Sequence, residues 1–207
     1  MTALRLPPGV LLATAGLSAL GFGLIARAIA RGQLARLDAR AERRLGRQTP
    51  PKALELAAVA TTPTGKWWAH LPASLASASR LYRQGRVEGA AALVASSVGA
   101  AVLTRLLDRW FERRGPRPRR GHVSHHSFPS GHALQSSAVA VTTGYVLLRE
   151  RLAPRWLPGS LGALPLAAGA GKLLLARHWS SDVLAGYCAG VAWGSACAGL
   201  YELSVSR

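Results

Sequence analysis

Apolar residues in this chain gather into six blocks, separated by short stretches dense in arginine. The blocks are Gly9 to Ala28, Ala53 to Ser79, Gly89 to Leu107, Ala133 to Leu148, Trp156 to Leu175 and Val183 to Tyr201. A helix needs about 20 mostly apolar residues to cross a bilayer, so the pattern predicts six transmembrane helices. Ala53–Ser79 is the weakest block, because it holds Glu55, Lys66 and His70, with Trp67-Trp68 placed as an interfacial belt. Pro7-Pro8 opens the first block. A cleaved signal peptide is the competing reading there, but the single arginine ahead of the block and its length favour a span. Between the first two blocks, Arg31 to Gln48 is rich in arginine, carries Asp38 and Glu42 at helical spacing, and reads as an interfacial helix. Arg80, Arg83 and Arg86 mark an exposed turn, and Gly115-Pro116-Arg117-Pro118-Arg119-Arg120 is a stiff basic loop that cannot be helical. Pro165 is expected as a kink in the fifth span. In the sixth, Gly186, Gly190 and Gly194 recur every four residues, a small-residue face suited to close helix packing. With no repeat and no second composition regime, residues 1–207 are expected to form one all-α integral-membrane bundle.

Composition agrees. The chain has 207 residues, is 49% hydrophobic and carries a net charge of +17, with a positive mean hydropathy. Topology and attraction to anionic headgroups, about 1 kcal/mol per basic residue near the surface, account for the charge. A nucleic-acid partner would call for basic residues on a soluble face with stacking aromatics. Here they flank apolar runs, so no nucleic-acid partner is expected. Cys188 and Cys197 share one block. Along a helix they would lie about 13 Å apart, which favours packing over a disulfide.

Candidate chemistry collects on one face. If every block crosses once, the odd-numbered helices end where the Arg31–Gln48 connector, the loop Glu112 to Pro129 and the turn Arg177 to Asp182 lie. Those last two segments, with the first turn that follows Pro129, hold His122, His125, His126, His132 and His178, five of the six histidines. His132 and His178 are 46 residues apart. Two passes and a short turn fill that interval and return the second imidazole to the face of the first. His122, His125 and His126 read as a solvated polar loop. A zinc site there would need an ordered ligand spacing that the loop lacks, so no metal and no other cofactor is expected. His70 reads as interfacial rather than catalytic.

Pro129-Ser130-Gly131-His132 has a sharper logic. Proline ends the loop, Ser130 can cap the helix, glycine permits close backbone approach, and the first-turn amides favour an anion. His132, in that first turn, can offer a proton to whatever the amides hold. His178 and Asp182 are four apart, so in a helix the carboxylate could accept from Nδ1–H and leave Nε2 free to attack. Asp182 could equally cap the sixth span, and the two roles are compatible. Lys172, six residues before His178, is either a snorkelling side chain or a counter-charge for phosphate.

At these residues the sequence resembles the type-2 phosphatidic acid phosphatase family, whose members hydrolyse lipid phosphates and pyrophosphates without a metal. The family's Pro-Ser-Gly-His block is intact at Pro129–His132. Its Ser-Arg…His…Asp block appears as Gly171-Lys172…His178…Asp182, and its lysine followed by Arg-Pro only as Arg117-Pro118. The family's lysine position falls on Trp110, with Arg109 adjacent. Motif resemblance covers residues 105–186. It implies that His178 attacks phosphorus to form a phosphohistidine and that His132 protonates the leaving lipid oxygen and then activates water. Asp182 would orient His178, while Arg117, Ser130, Gly131, Lys172 and Arg109 would hold the phosphoryl oxygens. The implied partners are a membrane lipid phosphate and the bilayer, and the implied location is a multi-pass protein of a bacterial inner membrane. Substitution of the family's basic residues leaves a second expectation, a protein that binds or moves lipid phosphates without hydrolysis. A histidine-loop metal protein is the third. Arginine counts do not assign the site a side of the membrane. The family works on the outer face, yet the site-face connector alone carries Arg31, Arg36, Arg40, Arg43, Arg44, Arg47 and Lys52.

Overall fold

A computed structural model of the chain describes residues 5–56, 67–117, 125–154 and 156–206. Within the segments singled out above, residues 57–66, Pro118, Arg119, Arg120 and His122 lie outside the described residues, as do the side chains of Trp67 and Trp68. Among the described residues seven helices are formed: α1 Pro8–Ala30, α2 Ala35–Gln48, α3 Trp67–Arg83, α4 Val87–Trp110, α5 Gly131–Arg149, α6 Leu157–Leu174 and α7 Ser180–Val205. Among the described residues the only β feature is one isolated bridge, Arg113 to His126. Helix α1 begins with proline at its first position, where the missing N–H has no intrahelical partner to lose. Helices α3 and α4 are joined by a tight turn through Gly85, whose φ of 74° is open to glycine at no steric cost.

Helix α5 is central. It packs against α3, α4, α6 and α7, while α1 lies along α7 and α2 crosses to touch α6 and α7. That placement explains a departure from the six apolar blocks. Among the described residues only α1, α4 and α7 are by themselves long and apolar enough to cross a membrane. Helix α5 carries Gln135, Ser136, Ser137 and Thr142, all buried. A helix enclosed by its neighbours meets little lipid and can satisfy polar side chains internally. Helix α1 shows the opposite character, with Leu17 70% exposed and Leu20 and Leu24 59% exposed. Such a continuous apolar surface calls for lipid rather than water.

The far end of the bundle is tied by partly buried ion pairs. Glu202 accepts from Arg149 and from the Tyr145 hydroxyl, and Glu150 pairs with Arg86 and accepts from Tyr201. Both cysteines are free thiols.

Candidate active site

The glycine repeat decides how close α7 and α5 approach. A methyl group on Gly186 would sit 2.5 Å from the Ser130 carbonyl oxygen, one on Gly190 2.3 Å from that of Leu134, and one on Gly194 2.7 Å from that of Ala138. Contacts recur every four residues on both helices, backbone against backbone. At the site end this seam closes with a hydrogen bond from the Ser130 amide to the Asp182 carbonyl, 2.9 Å. The first turns of α5 and α7, carrying His132 and Asp182, are therefore side by side, and His178 stands in the turn that leads into α7.

His178 is held differently from the sequence expectation. Its Nδ1 lies 2.7 Å from the Ser127 carbonyl oxygen, not against Asp182. A carbonyl can only accept, so Nδ1 carries the hydrogen and Nε2 keeps its lone pair. Burial pushes the imidazole's pKa down to about 4; the Ser127 bond opposes this, and the positive charges of Lys172 and Arg177 add to it. At neutral pH the ring is a neutral base. Lys172 is 92% buried, as its 8% exposure shows, in the last turn of α6, close enough for its charge to act on His178.

Asp182 is fully buried. One oxygen accepts from the Trp179 amide at 2.8 Å, so the carboxylate caps its own helix. The other pairs with Arg113. Arg113 is the residue that sequence reasoning passed over. Its guanidinium also donates to the Ser181 hydroxyl at 2.8 Å and to Asp38 at 2.8 Å, and it stands 5.9 Å above the Trp179 ring. Asp38, seen in the sequence only as a helix-surface acid, is 2% exposed. It accepts from the Ser180 hydroxyl, the Ser181 amide and the Ser181 hydroxyl at 2.7, 3.0 and 2.6 Å. Burial alone would raise its pKa, but these bonds and Arg113 outweigh that and hold it below the usual carboxylate range. Asp38 fell at the period of the inward face of α2, the one signal that could have found it.

The remaining expected residues divide. Ser130 occupies the N-cap position of α5 but makes no capping bond, and its buried hydroxyl has no hydrogen-bond partner among the described residues. Gly131 is required by its neighbour, since a methyl group there would meet the Thr104 methyl at 2.7 Å. Arg109 is exposed in the last turn of α4 and Trp110 is 73% exposed. The chain turns a basic group inward three residues later, at Arg113. Arg117 is exposed at the edge of the described loop, as are His125 and His126. His70 lies at the site end of α3. Its Nε2 is 3.2 Å from Gln135 Oε1, and Gln135 donates to Thr104.

Beneath the loop, Phe22 of α1, Phe111 and Phe128 form one aromatic cluster, with ring centroids 5.2 to 6.1 Å apart. They are the chain's only phenylalanines. They fix both arms of the loop that presents Ser127 and Ser130 against the bundle. A cavity of about 460 Å³ opens between α3, α5 and α6, lined by His70, Ser136, Val139, Thr143, Leu147 and Leu161 among others. Ser136 bonds the His132 carbonyl at 2.6 Å, so the cavity begins one helical turn from His132.

Known proteins share this fold. The sequence model of the PAP2 superfamily matches residues 90–204. The fold is similar to the crystal structure of a transmembrane PAP2-type phosphatidylglycerolphosphate phosphatase from Bacillus subtilis, with a TM-score of 0.79 and 21% identity over 90% of this chain and 95% of that one. LpxE of Aquifex aeolicus is also similar, with a TM-score of 0.55 and 20% identity over 81% of this chain and 95% of the other. No curated protein matches the sequence.

Proposed function

Because the chain belongs to the PAP2 superfamily, we propose that it is an integral-membrane lipid phosphatase that works through a phosphohistidine. His178 Nε2 attacks phosphorus, and the bond from phosphorus to the lipid oxygen breaks as His132 delivers a proton to that oxygen. Water, deprotonated by His132, then attacks the phosphohistidine, and inorganic phosphate leaves with His178 restored. The amides at the start of α5, the Ser130 hydroxyl, Lys172 and Arg117 neutralise the equatorial oxygens. Asp182 acts through position, capping α7 and fixing Arg113, rather than by contact with the His178 ring.

The observation that carries this reading is the state of His178, whose Nδ1 is committed to Ser127 and whose Nε2 remains a neutral lone pair beside a helix N-terminus. A buried hydroxyl without a partner at Ser130 adds a donor for the same oxygens. The substrate we assign is a phosphate monoester or pyrophosphate of a lipid, of polyprenyl, phosphatidate or phosphatidylglycerophosphate type, its apolar part lying in the cavity that starts at Ser136. On this reading all of α1 and α3 to α7 cross a cell membrane of the bacterial inner kind, as one domain.

The test is phosphate release by the purified protein from a panel of these lipids in detergent, in excess chelator, with His178→Ala beside it. Release by the wild type alone supports the reading. Tight binding of every lipid without release would replace it with a lipid-phosphate binding or transport protein.

A further inference from the structure

Helix α2 has two unlike faces. Arg36, Arg40, Arg43, Arg44 and Arg47 are all exposed. On the other face Asp38 is driven into the junction of Arg113 with the first turn of α7, through the four contacts described above. Ser180 and Ser181, which Asp38 grips, follow His178 by two and three residues. Arg113, which it pairs with, also holds Asp182 and faces Trp179. An arginine face of this kind is complementary to anionic headgroups, and among the described residues the α2 acids do not lie on it: Asp38 is turned inward, and Glu42 is half-buried with contacts of its own.

From this we propose that α2 is a docking surface for the anionic lipids of the bilayer, and that Asp38 transmits that contact to the turn bearing His178. Asp38 is thus a positioning residue. Its carboxylate fixes Ser180 and Ser181, and through Arg113 it fixes Asp182, so a helix anchored on headgroups holds the nucleophile's turn in one geometry. Without that anchor α2 samples other positions and the turn moves with it. The role assigned to His178 is that of the preceding subsection, but the coupling itself is structural and can be read without catalysis.

The experiment places the full-length protein in nanodiscs of phosphatidylcholine alone or of phosphatidylcholine with phosphatidylglycerol. Hydrogen exchange is followed at residues 35–48 and 176–183, and turnover of a short-chain lipid phosphate is measured at saturation. Anionic discs should slow exchange in both segments and raise kcat by about 5-fold or more, the lower end of ordinary coupling between sites. In Asp38→Asn, exchange of α2 should still respond while residues 176–183 and kcat no longer do. Replacing the five arginines with glutamine should leave both segments, in either disc, as the wild type is in phosphatidylcholine. Exchange in α2 indifferent to lipid charge, or protected without any response at 176–183, would overturn the proposal. So would an effect confined to KM, which marks simple attraction of an anionic substrate. If no disc supports phosphate release, the exchange data still decide the coupling, and the phosphatase reading alone fails.

Discussion

His178 shows what a single hydrogen bond decides. Four-residue spacing made Asp182 the natural partner of its Nδ1, yet the bond goes to a backbone carbonyl 51 residues away in sequence. No side-chain pattern could reveal that acceptor. Its consequence can be measured. With the pKa lowered to about 4, the neutral imidazole persists well below the ordinary value near 6.5, so the acid limb of kcat/KM should fall below about pH 5. An acid limb centred near 6.5 would assign the lone pair to another base. Stability should move the same way. As pH drops from about 6.5 to 4 the unfolded chain binds a proton that the folded His178 refuses, so folding weakens across that window. His178→Ala and His132→Ala should each lower phosphate release by at least about 100-fold with the helical content intact. Near-normal release from His178→Ala would end the phosphohistidine mechanism. Lys172→Met should lower turnover without loosening α6, since an apolar residue suits that burial, whereas full turnover would mark Lys172 as a snorkelling anchor only. Asp182→Asn retains an oxygen for the Trp179 amide but loses the charge that faces Arg113. We expect both reduced turnover and a lowered melting temperature, and a loss of turnover alone would restore the direct role.

Between elements, the sequence was legible wherever a period repeats. Gly186, Gly190 and Gly194 announced a close helix partner, and α5 meets α7 along that line. Gly190→Ala tests it: the added methyl would press on the Leu134 carbonyl, a rigid neighbour, and should cost about 1–3 kcal/mol of stability as overpacking does. Unchanged melting would mean that the helices can part without penalty. Periodicity also gave α2, but not what α2 is attached to. Asp38 and Arg113 are 75 residues apart, and two oppositely charged residues at that separation carry no mark of pairing in a chain with 26 lysines and arginines. The same abundance hid Arg113 behind Arg109. Both are arginines near the end of α4, and only the backbone's turn after Phe111 distinguishes the one that faces inward.

Across the whole molecule, the block pattern was sufficient for an all-helical membrane protein, because apolar length is a physical requirement of the bilayer. It was less informative on which helices lipid touches. Gln135 and Thr142, polar residues within the fourth apolar block, are the interior of the bundle. A property of the assembled protein follows from the charge set around the proposed phosphate site. On the proposed mechanism Lys172 and Arg117 supply the neutralisation, so phosphate release should persist in excess EDTA and be inhibited by vanadate, which can take five ligands around a histidine. Activity lost to chelator and restored by zinc or magnesium would reassign the chemistry to a metal. The aromatic cluster offers a way to watch the loop that frames this site. Every phenylalanine of the chain lies in that cluster, so fluorine-labelled phenylalanine would give a spectrum containing these three rings and nothing else. A 200-residue protein in a native-like bilayer would then report on its substrate-facing loop through three resonances, with no background to subtract.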